Sequence, residues 1–191
     1  MHFYSALLAL TTSLIAVQAA NIPDGGYMVT RFTNGTTIYT SLTDTRLAPI
    51  IDVPGTQASP RSLSAKLSRS LTKRRTDCWG YHLDESGVDA AAAYLADQIC
   101  RDGQDISTGA GERTMIAGYS KAMMVYYCLN EENKFGNCDR DDVRYALGQM
   151  DAHCKKYEAS WFGWPGSFEL VGKARQGDNV CAGGMGGKPF N

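Results

Sequence analysis

Cysteine is absent from the first 77 residues, and no two of the six that follow are spaced as C-x-x-C. Histidine is equally scarce, three in 191 residues, and only His82 and His153 lie beyond residue 75. After Val17 no apolar run approaches the ~20 residues that a membrane-crossing helix needs. Charge of one sign is missing too, since 19 Lys and Arg stand against 20 Asp and Glu. These absences exclude a thiolate zinc ribbon, a later membrane span and, at this length, a large multidomain enzyme.

The balanced charge hides two unlike segments. Residues 20–75 hold eight basic and three acidic side chains, whereas residues 76–191 hold eleven basic and seventeen acidic, together with every cysteine. Ahead of both, Phe3 to Val17 is almost wholly apolar or hydroxylic. Val17-Gln18-Ala19 offers small residues where a signal peptidase reads, so residues 1–19 are expected to be a signal peptide cleaved after Ala19.

A stretch rich in Ser, Pro and basic residues runs from Arg46 to Ser70 and cannot bury a core. It ends at Lys73-Arg74-Arg75, a tribasic sequence that suits the acidic cleft of a kexin-type protease. Residues 20–75 are therefore expected to be a propeptide, and residues 76–191 a mature domain of 116 residues. Within the propeptide, Tyr27 to Phe32 and Thr36 to Tyr39 flank Asn34-Gly35, a hairpin signal. Asn34-Gly35-Thr36 is also the glycosylation sequon. The opposite charges of the two segments suggest that the propeptide docks electrostatically on the mature domain and keeps it soluble or inactive until cleavage.

In that domain Cys78, Cys100, Cys128, Cys138, Cys154 and Cys181 form an even set, read as three disulfides of which sequence allows fifteen pairings. Val88, Ala92, Leu95 and Ile99 repeat at helical spacing behind a serine cap at Ser86. Val143, Leu147, Met150 and Cys154 do the same behind Asp139, Asp141 and Asp142. Strands are expected around Trp79 to Leu83, Thr114 to Tyr119, Ala122 to Leu129 and Phe168 to Val171, with an aromatic turn at Trp161 to Gly166. The order βαββαβ predicts an α+β fold, two helices packed on one face of a mostly antiparallel sheet.

Catalytic residue types are few. His82, beside Asp84 and Glu85, and His153, beside the apolar stripe of the second helix, each read better as structural or exposed residues than as catalysts. A ribonuclease-like site could combine His82 with Glu112 and Arg113, supplying a base, an acid and a cation, but nothing in the spacing requires it. The acidic balance also opposes nucleic acid as a partner. Asp139-Arg140-Asp141-Asp142 starts like a calcium loop, yet Arg144 stands where glycine is needed and Met150 where the last carboxylate should be, so helix capping explains it better. Gly183 to Lys188 shares only composition with a phosphate loop, because Pro189 follows where a helix must begin; a flexible tail is expected from about residue 182. No metal or cofactor is expected. Trp161, Phe162 and Trp164 crowd three rings into one expected turn, to be read either as a structural aromatic lid over the sheet or as a surface that recognises a protein or sugar. Lys173 and Arg175 just beyond could orient an acidic partner but read better as a solvated strand end.

The signal peptide, Lys73-Arg74-Arg75 and the even cysteine set from Cys78 to Cys181 together make the chain resemble small cysteine-rich secreted proteins of filamentous fungi, the effector and killer-toxin-like class. That resemblance implies a protein matured by a kexin-type protease and acting outside the cell, without catalysis, on a host or competitor protein or cell-surface component. The alternatives are a killer-type toxin and a small secreted hydrolase such as a ribonuclease.

Overall fold

The hairpin signal at Asn34-Gly35 is where the chain first reverses. Gly35 takes a φ of +85°, in the left-handed region open to glycine, and the Asn34 side chain accepts a hydrogen bond from the Thr36 amide at 2.9 Å. In the computed structural model, which describes residues 22–53 and 76–181, this turn joins β1 (Gly25–Phe32) to β2 (Thr37–Ser41), and β3 (Ile50–Asp52) follows. The expected signal peptide, the Lys73-Arg74-Arg75 site and the tail from 182 lie outside the described residues.

The second described segment runs β4 (Thr76–His82), α1 (Glu85–Ala92), a π-helical continuation (Ala93–Ile99), β5 (Gln104–Ser107), β6 (Glu112–Ser120), β7 (Met123–Leu129), β8 (Phe135–Cys138), α2 (Arg140–His153), β9 (Glu158–Gly163) and β10 (Glu169–Arg175). The fold is α+β, with a mostly antiparallel sheet and three disulfides. The sheet, however, is larger than the βαββαβ order provides. Its eight strands run β3-β2-β1-β6-β7-β10-β9-β4, so residues 25–52 supply three of them. β1 pairs with β6 over eight positions, from Gly25 opposite Tyr119 to Phe32 opposite Glu112.

Within the described residues that junction carries little net charge. The described part of the 20–75 segment carries Arg31 and Arg46 against Asp24, Asp44 and Asp52; its other six basic residues lie at 61–75, outside the described residues. Backbone hydrogen bonds and apolar burial join the two segments instead: Tyr27 and Val29 are buried with Met115, Ala117 and Tyr119. Asp24 accepts from the Ser120 hydroxyl at 2.7 Å and from the Lys121 amide at 3.0 Å.

Both helices cover one face of the sheet, where Val88, Ala91, Leu95, Val143, Ala146 and Met150 meet Ile116, Val125, Tyr127, Phe162 and Val171. The α1 cap is Asp84, not Ser86. Its carboxylate accepts from both the Gly87 amide and the Ser86 hydroxyl at 2.7 Å, and the bonded Ser86 and Gly87 amide hold its charge below the usual carboxylate range. Asp139 caps α2 by accepting from the Asp141 amide. Helix α1 lies so close to β6 that a Cβ on Gly118 would fall 2.0 Å from the Ala91 carbonyl oxygen, which only glycine permits. Further on, the Cys100 amide bonds the Leu95 carbonyl five residues back, a π-type turn that ends the helix at the Cys100–Cys138 bridge.

The opposite face carries no helix among the described residues. Tyr27, Met115, Tyr119, Met124, Tyr126, Trp161 and Leu170 form a second core there, with Val180 and Cys181 packed against them. The chain after β10 is tied down by the Cys128–Cys181 bridge, by the Tyr81 hydroxyl donating to Asp178, and by Arg31 donating to Asn179 at 3.0 Å. Tyr81 and Arg31 stand on β4 and β1, five strand steps apart, which is about 24 Å in a flat sheet. The Asp178-Asn179 stretch thus links strands from the two halves of the sheet.

Candidate functional site

Period-two geometry decides where the aromatic run goes. Trp161 and Phe162 lie inside β9, paired with Gly172 and Val171 of β10, so successive rings point to opposite faces. Both are buried, Trp161 to 7 % exposure in the second core and Phe162 to 1 % under the helices. The expected turn of three exposed rings is therefore corrected to a strand end, because a sheet with two cores can bury neighbouring aromatics on its two sides. Only Trp164, past the end of β9, remains half-exposed.

Trp164 does not stand alone. Its ring packs edge-on against Phe162 at 5.1 Å, and Tyr145 packs edge-on against the same Phe162 at 5.7 Å. Tyr145 sits on the outer side of α2 and is 50 % exposed. A buried Phe162 thus serves as the floor for two surface rings from different elements, which restricts how either can turn. Nearby in sequence, Phe168 carries Lys134 over its ring at 5.2 Å, and Phe135 is 64 % exposed. The sequence signal for Tyr145 was an aromatic off the apolar stripe of a helix, and helical periodicity alone passes over it.

The basic run beside this strand divides between core and surface. Lys173 is 1 % exposed beneath α2, and its ammonium donates to Asp151. Arg175 is exposed but engaged: its guanidinium lies 4.7 Å from the Tyr81 ring centroid and donates to the His82 carbonyl at 3.1 Å. Neither is a free cation for a partner.

The hydrolytic candidates are not brought together. His82 is exposed at the end of β4, 3.9 Å from Glu85 and edge-on to Tyr157. His153 is exposed at the end of α2, its Nδ1 3.0 Å from the Gln149 carbonyl. Glu112 and Arg113 begin β6, four strand steps from β4 in the sheet, where Arg113 donates to the Cys181 carbonyl at 3.3 Å. The acidic residues at the start of α2 cap the helix. Partial desolvation, then Asp139, Glu169 and Asp141, push the carboxyl of Asp142, a residue still exposed to solvent, above the usual range. Among the described residues no group of three or more His, Cys, Asp or Glu side chains is placed to hold a metal ion. Burial and the Glu169 carboxylate, which accepts the Tyr127 hydroxyl proton at 2.7 Å, raise the Tyr127 phenol.

The cysteines pair as Cys78–Cys154, Cys100–Cys138 and Cys128–Cys181. The first ties β4 to the end of α2, the second ties the helical end to β8, and the third ties β7 to the chain beyond β10. Asn34 is exposed at the tip of the β1–β2 hairpin. Comparison with known proteins returned no matching family model, no matching curated protein and no matching solved structure.

Proposed function

We propose that this is a secreted, kexin-processed protein of the cysteine-rich fungal effector kind, acting by binding a host or competitor protein or cell-surface component outside the producing cell. Export is supported by three disulfides, which persist in oxidising compartments, and by the leader-like residues 1–19. Among the described residues no helix is long and apolar enough to cross a membrane. Maturation is a cut after Arg75 by a kexin-type protease.

The observation that carries the binding reading is the pair of surface rings, Tyr145 and Trp164, held against buried Phe162. Aromatic side chains anchored on a rigid floor lose little freedom on binding and are the usual energetic centres of interfaces. A catalytic reading has less support, since His82 and His153 stand apart from Glu112 and Arg113.

The test is binding of labelled, natively secreted protein to intact host or competitor cells. Tyr145→Ala and Trp164→Ala are each expected to weaken binding by about tenfold or more while leaving the circular dichroism unchanged. His82→Ala and His153→Ala should leave binding intact. Full binding by both aromatic variants would remove this surface, and a hydrolytic activity lost on His82→Ala would replace the reading altogether.

A further inference from the structure

The outermost strands of the sheet are β3 and β4, and residues 54–75 connect one to the other. A cut within 54–75 therefore severs no described strand pairing. Hydrolysis of the Arg75–Thr76 peptide bond by a serine protease consumes one water and leaves a carboxylate on Arg75 and an amine on Thr76. Thr76 is the first residue of β4 and stays paired opposite Phe162 of β9.

What the cut releases covalently, the sheet retains. β1 lies between β2 and β6, with eight positions paired to β6 and five to β2. Tyr27 and Val29 are 1 % and 2 % exposed within the second core, and the Tyr27 and Tyr119 rings pack edge-on at 5.7 Å. Gly26 fits beneath the π-helical segment, where a Cβ would fall 2.3 Å from the Ile99 side chain. The Thr33 amide donates to the Gly111 carbonyl at 3.1 Å, and Arg31 reaches Asn179. Every disulfide lies within 78–181, so none holds the two pieces together.

We propose that the mature protein is a noncovalent complex of two chains, in which the 20–75 piece remains after cleavage as a permanent strand-donating subunit, held through its residues 25–32 on the β6 edge. This rests on the cut after Arg75 given above, and it replaces a propeptide that leaves with one that completes the sheet. Departure of residues 22–53 would expose the whole length of β6 as an unpaired edge and uncover Met115, Ala117 and Tyr119, an arrangement prone to pairing with further copies.

The experiment uses the full exported chain treated with a kexin-type protease, examined by native mass spectrometry and by denaturing electrophoresis without reductant. A second version carries an unrelated protease sequence inserted after Arg61. The expected result is one native species, heavier than the uncut chain by one water, that separates into two bands in denaturant. High salt should not dissociate it, because the docked strands carry nearly balanced charge. Separation of the pieces under native conditions after either cut overturns the proposal. Resistance at Lys73-Arg74-Arg75 overturns the maturation step alone, and the inserted site then decides whether the strand-donating interface holds.

Discussion

Lys173 is a charged residue in a site that excludes water, 1 % exposed. A lysine ammonium enclosed between β10 and α2 is tolerable only with an acceptor, and Asp151, about one-third exposed, is that acceptor. Asp151→Ala should lower stability by about 2 kcal/mol, less than for a fully enclosed pair because water can reach the vacated position. Lys173→Met, which removes the charge and keeps the length, should stay within about 1 kcal/mol of the natural protein. Urea midpoints of the two variants check this, and equal losses in both would contradict it. In the sequence, Lys173 and Arg175 read alike, since both follow Val171 at alternate strand positions. Burial separates them, and burial is set by α2, which joins β10 only in the folded chain. The same holds for Trp161 and Trp164. Their crowding was visible, but which ring stays outside depends on where β9 ends.

At the scale of elements, local chemistry was a good guide wherever a segment satisfies itself. The Asn34-Gly35 hairpin, α1, α2, β6 and β7 all follow from turn residues or periodicity, to within a few residues. The β5–β8 pair was not legible. Gln104–Ser107 and Phe135–Cys138 are four residues each with one buried apolar side chain in the first, and they pair because the Cys100–Cys138 bridge closes beside them. The cap of α1 shifted from Ser86 to Asp84 because a carboxylate placed two residues earlier accepts from two donors at once. At the start of α2 the electrostatics have a testable sign. Asp142 has a folded-state carboxyl raised by partial desolvation and by Asp139, Glu169 and Asp141, so its ionisation opposes folding. That opposition is absent below the pH at which unfolded aspartate ionises and is complete above the raised folded value. Asp142→Asn should therefore stabilise the protein at neutral pH, with the gain disappearing as pH falls through the carboxylate range. Thermal midpoints across that range measure it, and a gain that grows in acid would contradict the assignment.

At the scale of the molecule, the division of charge at Lys73-Arg74-Arg75 was real in the sequence but did not mark the edge of the fold. Basic residues collect in 61–75, while the strands that join the sheet, β1 to β3, are apolar and β-branched with few charges. The alternation in Tyr27, Val29 and Arg31 announced a strand, but no single-chain pattern names its neighbour. That neighbour is β6, eighty residues further along, and the pairing converts an expected appendage into three of the sheet's eight strands. The direct test is hydrogen exchange on the full exported chain, read by mass spectrometry at peptide level. If the sheet is built jointly, amides of residues 26–31 exchange as slowly as those of 113–119, at rates limited by global unfolding. Fast exchange of 26–31 beside protected 113–129 would show that the first segment is not part of the sheet, and the two-chain architecture would fall with it.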